Sequence, residues 1–252
     1  MESKVVLITG SSGIGASTAR LATERGDRVF FLAKSAEECE QLTGELRDSA
    51  FCLCDVADEG QVEEAVRICL ARFGRIDAAF NAAGISGRSL GDGPLHECST
   101  AAWQTLMNVH AAGTFFVCRA VILHWLGAHS RGNIVNTSSV LAHFPEPKFF
   151  ATHAYAASKG AVESMTIAAA SYYASHGIRL NILAPGLVRT PMSRRAESDA
   201  TIVEFIRHKQ PLTGDFIGAE DVASVACFLL GSESAPITGE ILRCDGGWAV
   251  SG

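Results

Sequence analysis

Cations are in short supply in this 252-residue chain: Lys and Arg number 21 against 27 Asp and Glu, a formal net charge of −6, and no stretch gathers them into a basic stripe. Nucleic-acid phosphates are held by such a stripe, so a nucleic-acid partner is not expected. Long apolar runs are missing too. None reaches the ~20 residues that span a bilayer, and no charged leader with an apolar middle and a small-residue cleavage site precedes the first apolar segment. No membrane association is therefore expected, and the expected localisation is cytoplasmic. Linkers, repeats and low-complexity tracts are absent as well. The whole of 1–252, with 48% hydrophobic residues, is expected to form one domain around a large core. The eight cysteines are scattered rather than spaced as a disulfide framework, and Cys52 and Cys54 on a predicted strand read as core thiols. They are expected to be reduced, and no bound metal is expected.

What is present is alternation. Apolar runs at Val5–Ile8, Val29–Ala33, Phe51–Cys54, Ile76–Phe80, Ile134–Thr137, Ile178–Leu183 and Glu240–Arg243 are separated by amphipathic segments of helical length. Seven strands alternating with helices predict an α/β fold, a doubly wound parallel sheet with helices on both faces. Ligands of such sheets bind beyond the carboxyl ends of the strands, which makes the strand exits the functional candidates. The first exit, Thr9-Gly10-Ser11-Ser12-Gly13-Ile14-Gly15, joins glycines that admit a pyrophosphate to a helix start whose free N–H groups favour an anion. Further on, Tyr155 and Lys159 stand four apart in a helical stretch, on one face. An ammonium beside a phenol favours the phenolate, drawing its pKa of ~10 towards neutrality, so the pair can exchange a proton. A packed Tyr with a Lys reaching for solvent is the alternative.

Taken with Asn81-Ala82-Ala83-Gly84 and Asn136-Thr137-Ser138-Ser139, these motifs resemble the short-chain dehydrogenase/reductase family, classical type, over essentially the whole chain. The resemblance implies a Rossmann-type fold and an NAD(P)-dependent oxidoreductase that moves hydride between a nicotinamide and a ketone or secondary alcohol. Ser139 would polarise the carbonyl, with Ser138 as the register alternative; Tyr155 would transfer the proton; Lys159 would lower the Tyr pKa and hold the nicotinamide ribose. Cofactor contacts would come from Gly10, Ser12, Gly13, Ile14 and Gly15, from Ala33 and Lys34, from Asp55 and Val56, from Asn81, Ala82, Ala83 and Gly84, and from Pro185, Gly186, Val188 and Thr190. A dimer or tetramer of identical chains would be the family's habit. Two alternatives are a 3-oxoacyl-carrier or CoA reductase and, of another class, a non-catalytic NAD(P)-sensing regulator.

The chain also departs from the family pattern. Its glycine-rich loop is one residue short. Ala33 and Lys34 stand where NAD users carry an acid, so NADP(H) is expected over NAD(H), although Glu37, Glu38 and Glu40 follow closely. His110 occupies the place of an Asn that braces the family's proton relay, and is expected to hold the relay, to titrate within it, or to be a satisfied core histidine. Between Ser139 and Tyr155 lie more residues than is common, among them Phe144, Phe149 and Phe150, which suggest an apolar or ring-shaped substrate wall or a subunit contact. The polar stretch 192–210 reads as a movable lid over the substrate.

Overall fold

The computed structural model describes residues 3–251. Seven parallel strands form one sheet in the order β3-β2-β1-β4-β5-β6-β7: β1 Val5–Thr9, β2 Arg28–Ala33, β3 Ser49–Leu53, β4 Ala78–Asn81, β5 Gly132–Thr137, β6 Ile178–Pro185 and β7 Ile241–Cys244. Each strand lies within about two residues of its predicted run. Cys54 falls just past β3, and Ile76 is buried ahead of β4. Val5 to Thr9 is buried at every position, because a parallel sheet covered on both faces leaves no strand face for polar residues.

Alternation along the strands divides the core in two. Val5, Leu7, Phe30, Leu32, Ala79 and Ile134 pack against helices α3 (Glu59–Phe73) and α5 (Gly113–Gly127). Their neighbours Val6, Ile8, Val29, Phe31, Phe80 and Val135 pack against α1 (Gly13–Glu24) and α9 (Ala219–Leu230). Strand order reverses between β1 and β4, the switch point at which open sheets hold their ligands. The other helices are α2 (Ala36–Glu45), α4 (Thr100–Leu106), α6 (His153–Tyr173), α7 (Arg194–Glu197) and α8 (Ala200–Lys209).

A π-helical stretch, Met107–Ala112, joins α4 to α5, so that Thr100–Gly127 runs as one helix of 28 residues whose most apolar 18-residue window has mean hydropathy 1.5. By length and composition it could cross a membrane, which the segment-by-segment reading of the sequence did not bring out. Its inner side is nevertheless core: Val117, Val121 and Trp125 are fully buried, and the Trp125 indole donates to the Ile76 carbonyl at 2.6 Å. All eight cysteines are free, and burial pushes the thiols of Cys54, Cys69 and Cys118 up to about 12, which makes them inert. Among the described residues no three His, Cys, Asp or Glu side chains cluster as metal ligands.

Candidate active site

A cleft of about 950 Å³ opens along the carboxyl ends of the strands, with β1 and β4 at its floor. At one end Thr9 joins the two strand exits, its hydroxyl accepting from the backbone N–H groups of Ala82 and Ala83 at 3.0 Å each. Gly10 turns the chain with φ of +93°, a conformation other residues adopt only under strain. Ser12 precedes α1 in extended conformation without capping it by its side chain, so the N–H groups of the first turn remain open to a ligand. This cradle fits a dinucleotide pyrophosphate.

The wall next to it comes from β2 and β3. Ala33 closes β2 with 7% of its surface exposed, and the Lys34 ammonium forms an ion pair with Asp55 at 2.8 Å, which holds that carboxyl below the usual carboxylate range. Asp55 also accepts from the Ala57 N–H, while the N-cap of α3 is Asp58. Glu38, on α2, accepts from the Ser11 hydroxyl at 2.8 Å.

The chemical end rests on α6, where a buried stripe runs through Lys159, Glu163, Thr166 and Ala170 at helical spacing. Tyr155 stands in the first turn, whose free N–H groups are taken up by Asp92: its carboxylate accepts from Ala154 at 2.9 Å and from Tyr155 at 3.1 Å. Burial raises the Tyr155 phenol above its ordinary pKa, and a hydrogen bond with Ser139 opposes the rise. The Lys159 ammonium donates to the Thr137 carbonyl at 2.9 Å and lies 5.7 Å from the centre of the Tyr155 ring. Burial lowers its pKa to about 8, against the pull of the Glu163 carboxylate one turn on. Lys159 is thus still charged at neutral pH, but its charge is lost as the pH rises through that value.

The two serines part company here. Ser139 meets Tyr155, whereas the Ser138 hydroxyl donates to Glu163 at 2.6 Å, and the other Glu163 oxygen takes the His143 ring. Around them, Leu141, Phe150, Met192 and Trp248 complete the cleft. Of the stretch 192–210, Met192, Ser193, Arg195 and Ala196 line the cleft, and the buried Gln210 fastens the far end: its side-chain oxygen accepts from the Leu187 N–H at 2.6 Å, and its nitrogen donates to the carbonyls of Leu187 and Asp215.

The family model described as Enoyl-(Acyl carrier protein) reductase matches residues 8–249. A 2,5-dichloro-2,5-cyclohexadiene-1,4-diol dehydrogenase of Sphingobium indicum is 35% identical over 99% of this chain and 98% of its own. A 3-oxoacyl-[acyl-carrier-protein] reductase of Thermotoga maritima is 34% identical over 99% of each. The chain belongs to the short-chain dehydrogenase/reductase family. Among solved structures, a gluconate 5-dehydrogenase of Burkholderia cenocepacia in complex with NADP and tartrate superposes with a TM-score of 0.91 at 30% identity, over 100% of this chain and 97% of that one. This dehydrogenase/reductase is accordingly an NAD(P)-dependent oxidoreductase acting on a ketone–alcohol couple.

Most of the residues singled out in the sequence of this dehydrogenase/reductase line the one cleft: Gly10, Ser12, Gly13, Ile14, Ala33, Lys34, Asp55, Val56, Ala82, Ala83, Gly84, Ser139, Tyr155, Lys159, Pro185, Gly186, Val188 and Thr190. Three lie behind it: Gly15 and Asn81, whose expected place at the cofactor this corrects, and His110, for which a core position was one of the expected alternatives. Gly15 is buried beneath the loop, where a Cβ would come within 2.6 Å of the Gly10 carbonyl oxygen; its lack of a side chain permits the short turn. Asn81 points into the sheet and donates to Asn136 at 2.8 Å. His110, 1% exposed, sits behind Gly84. The expected wall of three phenylalanines reduces to Phe150, because Phe144 lies outside the cleft with Arg243 over its ring and Phe149 meets Phe205 of α8 at 5.2 Å between ring centres. Sequence reasoning missed Trp248, Asp92, Arg88 and Gln210. Trp248 follows a Gly-Gly pair at the last turn, the only local signal any of them carries.

Proposed function

We propose that this enzyme interconverts a cyclic, largely apolar ketone and its secondary alcohol, using NADP(H) in preference to NAD(H). The observation that carries the reading is that Leu141, Phe150 and Trp248 line the same cleft as Ser139 and Tyr155, an apolar lining that suits a ring. The substrate oxygen sits between the Ser139 and Tyr155 hydroxyls; Ser139 donates a hydrogen bond that polarises it, and Tyr155 gives the proton in reduction and takes it back in oxidation. Lys159 holds the ribose and favours the Tyr155 phenolate. The bound nicotinamide supplies or accepts the hydride.

The preference for NADP(H) is supported at the end of β2. Ala33 offers no carboxylate to ribose hydroxyls, Lys34 stands exposed at the rim, and the nearest acids are engaged, Asp55 with Lys34 and Glu38 with Ser11. The test is turnover of NADPH with a panel of cyclic ketones and 3-oxoacyl thioesters. Reduction of the cyclic ketones by at least tenfold higher kcat/KM supports the proposal. Faster reduction of the thioesters would favour the acyl reductase reading, which the Thermotoga relative keeps in play.

For His110 we propose a positioning role. Its Nε2 accepts from the Ile85 N–H at 3.0 Å, and its Nδ1–H donates to Ser158, whose hydroxyl donates to the Tyr155 carbonyl at 2.7 Å. Burial, helped by the Lys159 charge, holds its pKa well below the ordinary value, so the ring stays neutral and ties the β4 exit to the first turn of α6. His110→Ala should lower stability by about 1–3 kcal/mol, the cost of a buried N–H left without a partner. The pH–rate profile of His110→Asn should keep the wild-type shape. Loss of an ionisation from that profile would instead make His110 a proton carrier.

We further propose a homo-oligomer, dimer or tetramer, in a cytoplasmic setting that keeps the thiols reduced. Support comes from the outer side of the long helix and of α6, where Trp103, Phe115, Leu123, Ile167 and Tyr172 are exposed, Leu123 by 61% and Tyr172 by 69%. Sedimentation should give a multiple of the chain mass that Leu123→Glu reduces. A monomeric wild-type protein would overturn this.

A further inference from the structure

Two cations in the cleft take no part in the hydride or proton transfer just described. Arg88, in the 3₁₀ turn Arg88–Leu90, and Arg195, on α7, both line it. They come from different elements: the Arg88 turn leads directly to Asp92, which caps the first turn of α6 under Tyr155, whereas Arg195 belongs to α7, in the stretch 192–210 read as a lid. Neither guanidinium is ion-paired with a carboxylate among the described residues. Arg88 donates to the Phe149 carbonyl, and the Arg195 guanidinium bonds to no group of the described chain.

Asp92 and Glu146 offset part of the Arg88 charge, each by less than Arg195 opposes it, and Asp199 offsets part of that of Arg195, but none of the three forms an ion pair with either guanidinium. Asp92 spends its oxygens on the backbone N–H groups of Ala154 and Tyr155, and Glu146 on those of Lys148, Phe149 and Phe150. The two arginines are close enough for the charge of Arg195 to depress the pKa of the half-buried Arg88, second only to burial itself. Two like charges at an apolar wall repel each other and lack hydration on one side. Both costs disappear when an oxyanion lies between them, and the planar, forked donors of arginine suit a carboxylate, sulfonate or phosphate.

We infer that the substrate carries an anionic group, held between Arg88 and Arg195 while its reacting carbon lies at Ser139 and Tyr155. This rests on the proposed oxidoreductase site and narrows its substrates to ring ketones or alcohols with an acidic substituent. Because Arg195 rides on the lid, the anion also draws the lid onto the ring.

The test uses the complete protein saturated with NADP⁺, titrated calorimetrically with cyclohexanecarboxylate, cyclohexanesulfonate and cyclohexanecarboxamide, the last of the same shape but neutral. At least one of the two anions should bind ten or more times tighter than the amide, with the advantage shrinking as salt is raised. Arg195→Met, whose guanidinium makes no hydrogen bond among the described residues and only a long-range contact with the charge of Asp199, should remove most of that advantage, and Arg88→Met should do the same. Equal binding of anions and amide, no binding of either anion, or an advantage that survives Arg195→Met would overturn the inference. So would a variant that loses NADP⁺ affinity instead, since the arginines would then be reading the cofactor's phosphates. Turnover separates this from the reading on which it rests. A preference for methyl 4-oxocyclohexanecarboxylate over the free acid would reject the anion site and leave the oxidoreductase reading standing. Failure to reduce either ketone, with the anion advantage intact, would reject the ring-ketone reading alone.

Discussion

Tyr155→Phe should lower kcat by roughly 10²–10⁴-fold, the usual contribution of a positioned proton donor, while the dissociation constant for the cofactor stays within about twofold. The substitution removes one oxygen. The ring remains, held edge-on against His110 at 5.2 Å between centres, and Lys159 keeps its bond to the Thr137 carbonyl, so the group proposed to hold the ribose does not move. Ser139 survives too, and can polarise a carbonyl but has no partner to relay its proton. Single-turnover reduction followed at the nicotinamide absorbance, beside fluorescence titration of NADPH, separates the two effects. A variant within tenfold of wild type would show that another group supplies the proton and would remove Tyr155 from the mechanism.

The second large effect concerns the cofactor. Ala33→Asp should move the ratio of kcat/KM for NADPH over that for NADH by about 10²-fold towards NADH, because a carboxylate set against a phosphate costs several kcal/mol and the same carboxylate accepts from ribose hydroxyls. The site leaves the new side chain little choice. Ala33 is the last residue of β2, its neighbour Lys34 is already paired with Asp55, and Glu38 is turned to Ser11. The introduced acid therefore faces the cleft, in the company of other negative charge. Measuring both specificity constants for wild type and variant decides the matter. A wild-type enzyme that already prefers NADH would mean that Lys34 serves Asp55 and not a 2′-phosphate.

Local spacing carried a good part of this enzyme into view before any coordinates. Unbroken apolar runs such as Val5-Val6-Leu7-Ile8 mark strands covered on both faces, and their regular separation by amphipathic segments marks the doubly wound sheet; both are periodicities of the chain itself. The four-residue step from Tyr155 to Lys159 likewise places two side chains on one helix face with no help from the rest of the molecule. The glycines after β1 announce a close backbone approach because no other residue permits it.

What those periodicities could not decide was which way a side chain faces once neighbours from distant parts of the chain surround it. Ser138 and Ser139 are adjacent and chemically alike, and only the arrival of Glu163 beneath one and Tyr155 beside the other tells them apart. Gly15, Asn81 and His110 belong to motifs of the cleft yet support it from behind, because the second layer of packing is built from contacts such as His110 with Ile85 and Ser158 that no local pattern encodes. Phe149 and Phe150 are neighbours, and α8 takes one while the cleft takes the other. Arg88, Arg195 and Trp248 meet across more than half the chain's length. The sequence by itself determined the sheet, the glycine-rich turn after β1 and the placing of Tyr155 and Lys159 on one helix face, since each is set by spacing along a single element or turn. Tertiary structure alone decided the shape and charge of the substrate end, since these arise where loops and the lid converge, and convergence is a property of the folded chain.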